Sequence, residues 1–175
     1  MTVSPDENKI GIALGKQLIK DHVMVTEIVV YKRNRDNVFE LEKMRDFEDT
    51  DACITFQFSK TNNSNLLFFS REEVYSFNYL DESSERETVY KFENQLSDTP
   101  RFGVFSKDQR KCIVTSSQDV LFVNLDTGEE VDFDEREKIS SIQNILSNDT
   151  HFFVLANKKD HKLGYYLFSM EIEKP

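Results

Sequence analysis

Phe105-Ser106-Lys107-Asp108, then Cys112-Ile113-Val114-Thr115-Ser116-Ser117-Gln118-Asp119, then Val120-Leu121-Phe122-Val123-Asn124-Leu125-Asp126-Thr127-Gly128-Glu129 is the stretch whose reading decides the fold. It holds two runs rich in Val, Ile and Phe, the composition of strands, each bounded by the Ser, Asn, Asp and Gly of turns. Its opening phrase, an apolar residue followed by Ser and a polar turn, recurs as Val3-Ser4-Pro5-Asp6, Phe58-Ser59-Lys60 and Leu146-Ser147-Asn148-Asp149. Five to seven residues after each Ser an apolar run begins, at 10–14, 66–69, 112–114 and 152–156. A second run follows each, at 28–31, 74–77, 120–123 and 165–168. The chain therefore reads as all-β and internally repeated.

The anchoring serines lie 55, 47 and 41 residues apart. Two polar insertions account for the longer intervals, one from Lys16 to Thr26 between the second and third strands of the first unit, the other from Asp81 to Glu87. Without them the period approaches the ~40–45 residues of a four-stranded propeller blade. The units run approximately 1–49, 50–98, 99–140 and 141–175. Val38, Leu41, Met44 and Phe47 recur every third residue, a spacing that an amphipathic helix also satisfies. The repeat requires a closing fourth strand there, and the corresponding stretches 88–92 and 130–133 alternate apolar and polar residues, so a strand is expected.

The third unit resembles the WD40 repeat, which runs as apolar-Ser-Pro-Asp, a strand, Ser-x-Asp, a strand ending in Trp-Asp, and a Thr-Gly turn. Val3-Ser4-Pro5-Asp6 matches the first phrase, and Ser117 and Asp119 stand at the Ser-x-Asp turn. The chain departs from the pattern in having no Trp, with Val123-Asn124 and Phe77-Asn78 at the Trp-Asp position, and in lacking the opening Gly-His. The resemblance implies a divergent β-propeller of about four antiparallel, four-stranded blades, as an incomplete ring or a fragment of a longer one. It also implies a turn built on Asp119 and Ser117. Without the His that partners this Asp in the family, Asp119 is expected to be exposed or only locally bonded, and its removal to cost little.

The composition narrows the function. With 22 Lys+Arg against 32 Asp+Glu the net charge is −10 in 175 residues, and the densest basic stretch, Lys32-Arg33-Asn34-Arg35, is short, which argues against nucleic acid. No run approaches the ~18 apolar residues of a membrane span and no secretory h-region opens the chain, so a cytoplasmic protein away from membranes is expected. Cys53 and Cys112 sit far apart in apolar runs and read as free buried thiols. His22, His151 and His161 have no partners at metal-ligand spacing, and the acidic stretches 46–51 and 132–137 lack an EF-hand's Gly and terminal Glu. No nucleophile elbow and no phosphate loop is present.

No cofactor, metal or catalytic residue is therefore assigned, and the expectation is not an enzyme but a protein–protein interaction scaffold. The alternative is an accessory propeller of a longer enzyme, a peptidase or kinase, whose catalytic part lies outside these residues. Contact with a partner is assigned to the two insertions, through Lys16, Lys20, Asp21, His22, Asp81, Glu82 and Glu85. The partners expected are other proteins with basic surfaces, and the remaining blades or a second copy of the chain.

Overall fold

The computed structural model describes residues 1–18, 23–47, 55–93, 96–117, 119–132, 139–148, 150–158 and 165–171. These residues form fifteen strands and no helix, arranged as four antiparallel sheets. Sheet one contains β1 (Thr2–Val3), β2 (Lys9–Leu18), β3 (Val23–Arg33) and β4 (Phe39–Phe47). Sheet two contains β5 (Phe56–Phe58), β6 (Asn65–Phe69), β7 (Glu73–Asn78) and β8 (Glu87–Lys91). Sheet three contains β9 (Phe102–Phe105), β10 (Lys111–Thr115), β11 (Val120–Asn124) and β12 (Glu129–Asp132). Sheet four contains β13 (Ile139–Ser147), β14 (His151–Lys158) and β15 (Tyr165–Glu171). Each sheet is a meander in chain order. The apolar runs expected to be strands all lie in strands, so the all-β reading stands.

The segment with the threefold apolar spacing is β4 with the residue before it, and a bulge accounts for its middle interval, Leu41 to Met44. Leu41 pairs with Tyr31 and Met44 with Val29, while the register shifts between Val30 and Tyr31. The extra residue in β4 keeps Leu41 and Met44 on one face although three positions separate them. The Lys16–Thr26 insertion is corrected as well. It is not an insertion between two shorter strands: β2 runs on to Leu18 and β3 starts at Val23, with Lys16 paired to Val25, so most of it extends a hairpin.

Three cores join the sheets in series. Ile28 and Val30 of sheet one pack on Phe56, Phe58, Leu66, Phe68, Tyr75 and Phe77 of sheet two. The other face of sheet two, with Leu67, Phe69 and Val74, packs on Phe105, Cys112, Val114, Leu121 and Val123 of sheet three. The opposite face of sheet three, with Ile113, Val120 and Phe122, packs on Ile142, Ile145, Phe152, Val154 and Ala156 of sheet four. Both faces of the two middle sheets are thus buried, and the alternation of side chains across a strand supplies the two apolar sets. The first strands adjoin one another, β1 with β5, β5 with β9 and β9 with β13, but the sheets are not closed into a ring.

Two glycines permit this closeness. A Cβ on Gly103 would overlap the ring of Phe69, which stacks on Phe105 with centroids 4.6 Å apart. A Cβ on Gly11 would stand 2.8 Å from the ring of Phe56.

Candidate functional site

The repeated Ser phrase builds the same turn twice. In the first copy Ser4 N donates to Lys9 O (3.0 Å), Glu7 N to Ser4 O (2.9 Å), Lys9 N to Ser4 Oγ (2.9 Å), and Ser4 Oγ to Asp6 Oδ1 (2.6 Å). In the other, Ser106 N donates to Lys111 O (2.8 Å), Gln109 N to Ser106 O (2.9 Å), Lys111 N to Ser106 Oγ (3.0 Å), and Ser106 Oγ to Asp108 Oδ1 (2.6 Å). Glu7 and Gln109, three residues after the Ser, share the left-handed backbone with φ of 58° and 61°. Both aspartates sit below the ordinary carboxylate range. For Asp6 the Ser4 hydroxyl is the main cause, whereas for Asp108 burial opposes a shift driven by the Ser106 hydroxyl and the Arg110 amide. These serine hydroxyls are committed to holding a turn, so they are not free nucleophiles.

The fourth copy is one residue out of step. Ile145, not Leu146, fills the core against sheet three, and Asn148 takes the place of Ser as the turn residue, accepting from Thr150 N (2.9 Å) and His151 N (2.7 Å). Ser147 instead donates to Phe105 O (3.1 Å), tying the fourth unit to the third.

Because the first strands adjoin, all four turns meet around a cleft of about 390 Å³. Thr2 and Pro5 contribute from the first unit, Gln57 and Lys60 from the second, Lys107 and Gln109 from the third, and Ser147 and Asn148 from the fourth. Its charged lining residues are two lysines, a local reversal of sign in a chain of net charge −10. Gln109 spans the gap between two units, its Nε2 donating to Phe58 O (2.7 Å) and its Oε1 accepting from Lys60 N (2.6 Å). A non-glycine residue with positive φ is strained by about 1–3 kcal/mol, and these two bonds hold it there. The lining mixes amide, hydroxyl and ammonium groups, of which Gln109 Nε2 and the Ser106 and Ser147 hydroxyls already donate within the protein.

The residues singled out in the sequence fall elsewhere. Asp119 requires a correction: it is 8% exposed, and besides the nearby Ser116 Oγ (2.7 Å) it receives Ser97 N (2.7 Å) and Ser97 Oγ from the segment entering sheet three. Serine donors satisfy the buried carboxylate, which needs no His partner. Ser117 points to Asp98 (3.1 Å). Asp81, Glu82 and Glu85 are exposed, but the 81–82 turn is already gripped from sheet one. Arg45 Nη1 donates to Asp81 O (2.8 Å) and Lys43 Nζ meets Glu82 Oε1 at 2.6 Å. Lys16 lies in β2, while Lys20, Asp21 and His22 lie outside the described residues, as do Cys53 and His161. Cys112 is a buried free thiol, pushed up above its ordinary pKa by burial and then by Glu130. Among the described residues no helix is long and apolar enough to cross a membrane, and no group of three His, Cys, Asp or Glu is placed to hold a metal ion.

A second polar cluster lies between sheets one and two. Lys9 Nζ donates to Tyr79 Oη (2.8 Å), Tyr79 Oη donates to Glu42 Oε2 (2.6 Å), and Lys9 Nζ also lies 3.3 Å from that carboxylate. Burial first, then the hydrogen bond and charge of Glu42, hold the phenol far above the ordinary tyrosine range. A neutral Tyr locked between a cation and an anion is a structural bridge.

No protein-family model matches the chain, so membership of the WD40 family is not shown. No curated protein matches it either. Among solved structures it is similar to a luciferin-regenerating enzyme, with 12% identity and a TM-score of 0.48 over 93% of this chain. The match covers 61% of that protein, so the chain spans about three fifths of its length. A likeness of this grade transfers neither activity nor substrate. The matched structure is named as an enzyme, and the expectation that this chain is not an enzyme is not carried further.

Neither Gln109 nor Ser97 stood out in the sequence. Gln109 had one readable signal, its position three residues after the repeated Ser, where Glu7 stands in the first unit.

Proposed function

We propose that the chain is a protein-binding module on a divergent, WD40-like propeller arrangement, and that the cleft where its first strands adjoin takes a segment of the partner. The observation that supports this most is the composition of the cleft: four units, far apart in sequence, each contribute their equivalent turn to one opening. Turns carried on rigid sheets are a common place for recognition, because the strands fix the loops while the loops vary. The chain's net charge of −10 favours encounter with a basic partner surface. The ammonium of Lys60 in the cleft lining suits an inserted carboxylate or backbone carbonyl.

The test is affinity capture from the protein's own cells with the wild-type chain and with a cleft-filled variant, Gln57→Trp, under matched folding by circular dichroism. The reading expects one specific protein retained by the wild type and lost by the variant, with retention falling as salt rises from 0.05 to 0.5 M. If both chains retain the same proteins, the cleft is not the binding surface. If neither retains any, the module does not act by binding protein.

A further inference from the structure

A second pocket, of about 430 Å³, opens between sheets two and three beside the cleft, and the two share Lys60, Phe105 and Gln109. One wall is a cross-strand row of sheet two, Leu67–Ser76–Glu87, in which Leu67 pairs with Ser76 and Ser76 with Glu87. Sheet three supplies the other, with Phe105, Asp108 and Leu125. The repeat explains the opening. Phe77-Asn78 and Val123-Asn124 are equivalent, so Ser76 stands where sheet three has Phe122. Phe122 fills the next junction, edge-on to Phe152 with centroids 5.7 Å apart. A serine at the same place leaves that room empty and puts a hydroxyl in it.

Ser76 is 6% exposed, and its hydroxyl has no hydrogen-bond partner among the described residues. Folded proteins rarely bury a hydroxyl unpaired, because the lost hydration is not repaid. Next to it in the row, the exposed Glu87 carboxylate also has no partner among the described residues. From the opposite wall Asp108 offers Oδ2, its Oδ1 being taken by Ser106 Oγ and Arg110 N. Acceptors from two sheets thus share a pocket with the apolar side chains of Leu67, Phe105 and Leu125.

We propose that this pocket takes an arginine side chain of the protein partner, its methylenes against Leu67 and Leu125 and its guanidinium among Ser76 Oγ, Glu87 and Asp108. A planar fork of five donors can serve acceptors on two walls at once, which the compact ammonium of a lysine does less well. Lys60, at the boundary with the cleft, is placed for the backbone carbonyl of the same segment. The assignment rests on the protein-binding reading above, from which it takes the source of the arginine, and it accords with a net charge of −10.

Isothermal titration of the full chain with the blocked tripeptide acetyl-Gly-Arg-Gly-amide at 0.15 M NaCl tests it, beside the same tripeptide carrying Lys or the uncharged isostere citrulline. The expected result is saturable one-to-one binding of the Arg peptide, about fivefold weaker with Lys and about tenfold weaker with citrulline. Ser76→Val should abolish it. Glu87→Gln, an exposed change that leaves the fold alone, should weaken it about tenfold. Glu72→Gln removes the same charge from an exposed site outside the pocket and should leave it unchanged. Failure of the Arg peptide to saturate overturns the proposal, as does equal affinity for Lys or citrulline. Equal losses in Glu72→Gln and Glu87→Gln would reduce the binding to general charge attraction and overturn it too, and so would wild-type affinity in Ser76→Val. Tripeptide binding that persists while protein capture fails would refute the cleft and leave the pocket standing; capture without tripeptide binding would refute the pocket alone.

Discussion

The junction between sheets two and three and the junction between sheets one and two use opposite means to the same end. Phe69 lies flat against Phe105 over Gly103, where no side chain intervenes, and Ser97 with Asp119 clasps the connecting segment. The other junction has aromatic rings at its centre, Phe68 stacked with Phe56 and Tyr75, but closes along its rim through Lys9, Tyr79 and Glu42 and through Lys43 and Arg45. The first is held mainly by shape, with the Gln109 and Tyr90–Glu130 bonds at its edge, the second more by charge. A junction held by shape tolerates changes of pH and salt but not of volume, whereas one held by polar contacts behaves the other way.

The severest test of this contrast is Gly103→Ala. The added methyl enters the space of the Phe69 ring, and that ring cannot retreat because it stacks on Phe105 and lies wholly buried. Overpacking of this kind costs about 3 kcal/mol at the upper end, or roughly 6–12 °C in the thermal midpoint of a chain of this size. Calorimetry should show that loss at every pH and salt concentration. A variant that melts with the wild type would mean the ring does not lie over β9.

Asp119→Ala comes next. It leaves Ser97 N, Ser97 Oγ and Ser116 Oγ without their acceptor, and unmade buried bonds of this kind cost about 2 kcal/mol. Restoring a neutral acceptor with Asp119→Asn should recover part of it. Chemical denaturation is the measurement, and equal stability of Asp119→Ala and wild type would return Asp119 to the status of a surface turn.

The same residue shows where the sequence was legible and where it was not. Strand runs, their antiparallel order and the recurring Ser turn were readable, because local composition and hydrogen-bonding chemistry dictate them. Asp119 was misread because a family pattern names one partner, a His, while burial demands only that some donor be present. Ser97, 22 positions away, supplies it, and nothing in the sequence marks that approach. Gly103 and Gln109 were hidden for a similar reason: each matters through a neighbour in another sheet. In the fourth unit the Ser phrase survives with its face reversed, since Leu146 points outward and Ile145 inward. A side-chain period of two lets a one-residue slip exchange faces without disturbing composition.

The polar junction should answer to pH. There Tyr79 is held far above the ordinary tyrosine range by burial and by Glu42; at the edge of the other junction, between sheets two and three, Tyr90 is pushed up to about 12 by burial and by Glu130. Both phenols stay protonated in the folded chain while their unfolded counterparts ionise near pH 10. Their contribution is therefore complete below about pH 10 and is lost as pH rises toward the folded values, because the unfolded state then binds fewer protons. Denaturant midpoints should fall above pH 10, and less steeply in Tyr79→Phe. That variant should itself lose about 1.5 kcal/mol at pH 7 through the broken bridge to Glu42. An alkaline slope identical in variant and wild type would show that Tyr79 is not locked as the neutral phenol.

The smallest effect belongs to Lys43→Ala. Lys43 Nζ and Glu82 Oε1 are 2.6 Å apart, and the ammonium and nearby Arg45 hold Glu82 below the ordinary carboxylate range. Yet the glutamate is 81% exposed, and water and ions compete for both charges. The Arg45 bond to Asp81 O keeps the turn docked without this pair. At 0.15 M salt the Debye length is about 8 Å, and at 0.01 M about 30 Å, so the pair should be felt only at low salt. The thermal midpoints of Lys43→Ala and wild type should coincide at 0.15 M and separate slightly at 0.01 M, with the variant lower. A loss at 0.15 M approaching that of Gly103→Ala would mean the rim carries the junction of sheets one and two as fully as packing carries that of sheets two and three, and the contrast between them would disappear.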